Sequence, residues 1–92
     1  MRYRVVVTPK GQRGLASLPP RDAERVAAGI AGLADDPRPI TSSRLTGSLS
    51  HLRRLRVGDY RVGYEIDEAK AVVIVRAVGN RRGFYERLRR SH

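Results

Sequence analysis

The sequence predicts an α+β domain of β-α-α-β-β-β order, with two N-terminal helices packed on a mostly antiparallel sheet and a short basic segment at the C-terminus. Three observations carry that reading: a β-branched run near the start, a proline-punctuated stretch with helical periodicity, and three strand-like runs separated by turn signals. A chain of 92 residues suffices for one packed core, so residues 1–92 are read as a single domain.

The first strand is Tyr3 to Thr8, YRVVVT, which stops at Pro9 and Gly11. Lys10 to Leu18 follows as a short helix, with Leu15 and Leu18 three apart and Pro19-Pro20 as its stop. Pro20 then suits the first turn of a second helix, and Asp22 and Glu24 complement its positive end. Ala23, Val26, Ala27, Ile30, Leu33 and Ala34 form its apolar stripe, and Asp36-Pro37 ends it. Gly29 and Gly32 cost about 1 kcal/mol each in a helix interior, so close packing against a sheet is their expected use. Residues 37–50, PRPITSSRLTGSLS, lack periodicity and are read as a long loop.

The meander comes next: HLRRLRV, the turn Gly58-Asp59, YRVGYEI, the turn DEAK, and AVVIVRAV ending at Gly79. Counting outward from Gly58-Asp59 sets Val57 against Tyr60, Arg56 against Arg61, Leu55 against Val62, Arg54 against Gly63 and Arg53 against Tyr64. Leu55, Val57, Tyr60, Val62, Tyr64 and Ile66 then share a face that packs on the helices. Arg54, Arg56 and Arg61 share the other face, with Gly63 leaving room beside them. Like charges opposed on a sheet are destabilising, which suits an anion site better than a solvated face, the plainer alternative. The third strand is apolar on both faces over residues 71–75 and is read as central, with Arg76 on the parity of Val72 and Ile74. Gly79 to Arg90 then brings five more arginines beside Phe84-Tyr85, and can fold back so that Arg81 and Tyr85 approach the hairpin arginines. Arg87, Arg89 and Arg90 are read as a flexible tail, Tyr60 and Tyr64 as core, and His51 as a strand-edge surface residue.

Composition narrows the function. Nineteen basic residues against nine acidic give a net charge of +10, and 17 of the 19 are arginine. The surplus is concentrated: seven bases face four acids in residues 1–43, and twelve face five in residues 44–92. Arginine's planar fork pairs phosphate in two places and stacks on bases, so nucleic acid is the expected partner. Zero cysteines exclude disulfides, thiolate metal sites and a cysteine nucleophile, and His51 and His92 alone cannot cage zinc. A reducing cytoplasm is the expected setting, with no membrane role, since the apolar run Val5–Val7 is far too short for a signal or a span.

Cleaving RNA without a metal requires a base for the 2′-OH, charge stabilisation at phosphorus, and compensation at the leaving 5′-oxygen. Arginine suits the second task. For the first, the chain offers His51, Glu65, Glu86 and the phenol of Tyr85. Flanking guanidiniums favour a phenolate, which makes Tyr85 the physically plausible base.

The stretches LRRLRVGDYRVGYEI and VVIVRAVGNRRGFY resemble the core signature of RelE, the toxin of bacterial toxin–antitoxin pairs, and Arg44-Leu45-x-Gly47 and the order of elements extend the likeness over most of the chain. The resemblance implies a RelE-like fold and a small basic messenger-RNA endonuclease that enters the ribosomal A site and cuts by 2′-OH attack, leaving a 2′,3′-cyclic phosphate, with neither metal nor cofactor. It implies catalytic roles for Arg61, Arg81 and Tyr85, and substrate contact by Arg54 with Arg56 in support. Arg53, Arg76 and Arg82 complete the expected phosphate-binding set. The chain departs from the family pattern at Leu52, where a basic residue is common, and at Asn80, where many relatives carry His or Lys. The implied partners are messenger RNA, the ribosome and a cognate acidic, RelB-like antitoxin that orders on contact, the toxin alone being a monomer. A ParE-like branch of the same fold, which poisons DNA gyrase without cutting RNA, is the alternative. A non-catalytic RNA-binding module fits less well, because the sheet lacks the aromatic stacking platform such modules use.

Overall fold

A computed structural model describes residues 2–90, the side chains of Arg87 and Arg90 excepted; His92 lies outside the described residues. The chain runs β1 (Arg4–Val7), α1 (Pro9–Ala16), α2 (Pro20–Gly32), β2 (Ser42–Arg44), β3 (Arg53–Val57), β4 (Tyr60–Asp67), β5 (Val72–Asn80) and α3 (Phe84–Arg90), with a 3-10 turn at Gly47–Leu49 between β2 and β3. The five strands form one sheet in the order β1-β5-β4-β3-β2. β1 lies parallel to β5, and every other pair is antiparallel.

Local chemistry explains the helix starts. The Thr8 hydroxyl accepts from the Gly11 amide at 3.1 Å, and Pro9, which has no N–H to satisfy, opens α1. α1 then lies so close to β5 that a Cβ on Gly14 would sit 2.4 Å from the Val78 carbonyl oxygen, and only glycine fits there. Val26, Ile30 and Leu33 of the α2 stripe are buried as expected, but Ala27 is exposed. Gly29 marks close approach to Val57, whereas a side chain at Gly32 would meet nothing.

The hairpin register is the one counted from the turn, residue for residue, with Gly58 at φ 58° in its first position. Leu55, Val62 and Tyr64 join Val73, Val75 and Val78 beneath the helices in the main core. β5 is interior, between β1 and β4, as its two apolar faces require.

Two readings are corrected. Residues 37–50 are not all loop: Ser42, Ser43 and Arg44 pair with Leu55, Arg54 and Arg53 and add a fifth strand at the sheet edge. Those residues have little strand propensity of their own, and the pairing comes from β3. The C-terminal segment is not a tail either, because its backbone is helical through Arg90. Phe84 and Leu88, four apart and both fully buried, pack α3 onto the arginine-bearing face with Leu45, Leu49, Leu52 and Ala77 as a second, smaller core. Leu52, the departure from a basic residue, is thus an apolar anchor for α3.

Candidate phosphate-binding and catalytic site

The seat of α3 is Gly63. Its missing side chain is replaced by the ends of Leu88 and Phe84, which a Cβ there would meet at 2.8 and 3.1 Å. Gly63 pairs with Arg54, so the residue after Phe84 arrives above that arginine. Arg54 Nη1 donates to the Tyr85 phenol oxygen at 2.5 Å, and its Nη2 donates to Ser43 Oγ at 3.2 Å. Tyr85 is half-buried, held edge-on against Phe84 with ring centroids 5.2 Å apart.

Arg61 lies two pairs nearer the turn, opposite Arg56. Its Nη1 donates to the Gly58 and Tyr60 carbonyl oxygens, both at 2.9 Å, which fixes the fork at the hairpin end. Burial first, and then the like charges of Arg54, Arg56 and Arg81, hold the Arg61 guanidinium below its ordinary range, with Tyr85 opposing them. Three cations therefore bear on Arg61 beside a phenol, and an anion placed among them relieves that repulsion.

Arg81 reaches this group through the backbone. Its amide donates to the Asp59 carbonyl at 3.0 Å, docking the strand end on the hairpin turn. Asn80 Oδ1 accepts from the amides of Arg82 and Gly83 at 3.1 and 3.0 Å and bends the chain into α3. Asn80 is thus a turn-forming residue between Arg81 and the helix that carries Tyr85. Arg82 is exposed on this turn.

The remaining candidates lie elsewhere. Arg76 is the unpaired residue of a bulge, since Gly63 pairs with Ala77 and Tyr64 with Val75, and its guanidinium is tied to the Glu65 carboxylate. That contact occupies Glu65 as well. Arg53 has the parity of Leu55 and sits on the opposite face of the sheet, with Nη2 donating to Ser42 Oγ at 2.8 Å. His51 and Glu86 are exposed and do not border the Arg54–Tyr85 cleft.

That cleft has a volume of about 420 Å³ and opens between the β2 turn and α3. Arg44, Arg54 and Arg89 line it with Ser43, Thr46 and Tyr85, and among its described lining residues there is neither carboxylate nor imidazole. Sequence reasoning missed Ser43, Arg44, Thr46 and Arg89. Three of them lie in the stretch read as loop, where the Arg44-Leu45-x-Gly47 motif was the available signal. Among the described residues no group of three His, Asp or Glu side chains is placed to hold a metal ion. The cleft is built to take an anion and offers one phenol oxygen as proton acceptor.

Comparison with known proteins adds an independent line. The family model described as the ParE toxin of the type II toxin–antitoxin system parDE matches residues 3–85. A chain of the toxin–antitoxin complex RelBE2 from Mycobacterium tuberculosis is similar at 30% identity and a TM-score of 0.80, over 88% of this chain and 100% of that one. The archaeal RelE–RelB complex from Pyrococcus horikoshii OT3 is similar at 29% identity and a TM-score of 0.76, over 89% of this chain and 98% of that one. A double arginine-to-alanine mutant of E. coli RelE in the free state shares the fold at 22% identity and a TM-score of 0.78, over 99% of this chain and 95% of that one. No curated protein matches significantly.

Proposed function

The chain belongs to the RelE/ParE superfamily of type II toxin–antitoxin toxins, and from that membership we propose that it is a ribosome-dependent endonuclease of messenger RNA. The observation that carries this reading is the Arg54–Tyr85 hydrogen bond at the rim of an arginine-lined cleft, beside the electrostatically strained Arg61. A phosphodiester lodged among Arg54, Arg56 and Arg61 would have its non-bridging oxygens held by forked donors. The Tyr85 phenolate, steadied by Arg54, would take the 2′-OH proton. The 2′-oxygen then bonds to phosphorus as the P–O5′ bond breaks, leaving a 2′,3′-cyclic phosphate. Arg81, exposed at the same end of the hairpin, would offset charge on the departing 5′-oxygen. This sequence of steps uses only the chain's own side chains.

The arginine-rich face also supports an acidic partner. Solved relatives include complexes with RelB antitoxins, and we read this toxin as a cytoplasmic monomer that a cognate acidic, RelB-like antitoxin sequesters. Among the described residues no helix is long and apolar enough to cross a membrane.

A ParE-like reading, inhibition of DNA gyrase without RNA cleavage, is favoured by the description of the matching family model. The test is to incubate the purified chain with a defined messenger, with and without programmed ribosomes, and map new 5′ ends by primer extension. Cuts confined to the ribosome-containing reaction, lost in Tyr85→Phe and Arg81→Ala variants that still fold, are expected. No cuts from the folded wild type, together with inhibited gyrase supercoiling, would transfer the protein to the ParE-like branch.

A further inference from the structure

On the face of the sheet away from the Tyr85 cleft, past the end of α2, lies a second cleft of about 220 Å³. Three guanidiniums from three different elements border it: Arg38 from the segment after α2, Arg44 from β2 and Arg53 from β3. Arg44 and Arg53 are direct cross-strand partners, a second like-charge pair in the sheet besides Arg56 and Arg61. Such a pair is destabilising unless something negative sits between its members. Arg53 Nε is also buried with no hydrogen-bond acceptor, an unusual state for a charged donor. Arg38 commits Nη2 to Glu68 at 2.7 Å, but a guanidinium carries five N–H groups.

We propose that this cleft is a second phosphate-binding site, which grips the single-stranded RNA backbone beyond the segment lodged in the Tyr85 cleft. The inference rests on the proposed function, since it extends that RNA. Arg44 borders both clefts, so the two sites meet at the β2 edge of the sheet. The wall chemistry favours a polyanion over an amphipathic peptide: Leu52 is fully buried and only half-buried Ile66 adds apolar surface. Contacts of this kind position a strand without reading its sequence. The site would therefore lengthen the footprint on RNA and leave the choice of cleaved bond to the Tyr85 cleft.

The experiment measures binding of fluorescent RNAs blocked against cleavage by 2′-O-methylation, a trinucleotide and a dodecanucleotide, to the full chain at several salt concentrations. Arg53→Met keeps the aliphatic stem, and Arg38→Gln removes an exposed charge that borders this cleft and not the Tyr85 cleft. Each variant is expected to bind the dodecanucleotide roughly tenfold more weakly at low salt. The salt dependence should fall by about 0.7 for each phosphate that is no longer neutralised, with trinucleotide affinity unchanged. In the wild type, the Arg53 Nε–H resonance should shift with the dodecanucleotide and not with the trinucleotide. Unchanged dodecanucleotide affinity and salt slope in both folded variants would overturn the proposal. So would equal weakening for both RNAs, or displacement of the dodecanucleotide by a poly-glutamate peptide that moves the Arg53 resonance as far, which would assign the cleft to an acidic protein. Because the readout is binding, an Arg61→Ala variant that keeps full trinucleotide affinity would count against the endonuclease reading alone.

Discussion

Gly63→Ala should separate folding from activity. The new methyl would lie 2.8 Å from Leu88 Cδ1 and 3.1 Å from Phe84 Cζ. Carbon atoms prefer about 3.5 Å or more, so the Leu88 end must retreat by roughly 0.7 Å and the Phe84 ring by roughly 0.4 Å. Both side chains are fully buried and neighbour Tyr85 on α3, so the cheapest response is a tilt of that short helix away from β4. Overpacking of this kind costs about 1–3 kcal/mol, which a urea unfolding curve resolves. Displacing Tyr85 from Arg54 by a fraction of an ångström should cost about tenfold to a hundredfold in ribosome-dependent cleavage. Leu88→Ala in the same chain makes room for the methyl, so the double variant should be more stable than the two single effects added, by about 0.5–3 kcal/mol. Wild-type cleavage by Gly63→Ala, or strict additivity in the double variant, would refute the claim that the missing side chain of Gly63 seats Tyr85.

Three other outcomes follow from the structure. Arg61→Met should abolish cleavage yet melt close to wild type, because relief of the repulsion from Arg54, Arg56 and Arg81 offsets the two carbonyl hydrogen bonds lost with the guanidinium, and sulfate should raise the melting temperature of the wild type more than that of the variant. Glu68 is held below its ordinary value of 4.5 by hydrogen bonds from Arg38 and then Tyr3, so its stabilising effect is present above that value and fades as pH falls through the lower folded value. Melting temperatures of wild type and Glu68→Gln should therefore converge on acidification, and a constant gap would contradict the assignment. Ala71 adopts φ 53° in the β4–β5 turn, and Ala71→Gly should stabilise by up to about 1 kcal/mol in urea unfolding, relief of the left-handed backbone outweighing the added chain entropy.

What the sequence made legible was whatever depends on short-range counting. The period of two, started from Gly58-Asp59, placed Arg54, Arg56 and Arg61 on one face with Gly63, and the structure has that register. The count has no access to partners supplied from far along the chain. Ser42-Ser43-Arg44 becomes a strand only because β3 offers it a ladder, and the cleft residues Ser43, Arg44 and Thr46 were hidden with it. Seven residues are too few for a stable helix alone, so α3 could be read only by knowing that Gly63 and Leu52 receive Phe84 and Leu88. Arg76 shows the opposite difficulty: a bulge leaves it unpaired in the ladder, and Glu65, not an incoming phosphate, is its partner in this structure.

The strand order has a consequence for synthesis. β1 emerges first, but its neighbour in the sheet is β5, some seventy residues later by sequence position. A nascent chain therefore carries an unpaired first strand, and the helices that follow lack most of their sheet, until residues 72–80 have left the ribosome. α3, with the tyrosine proposed to do the chemistry, comes later still. The sheet and the cleft that α3 completes thus cannot form until residues 72–90 have emerged, and the interval gives a partner already present time to capture the chain before it can fold into an active toxin.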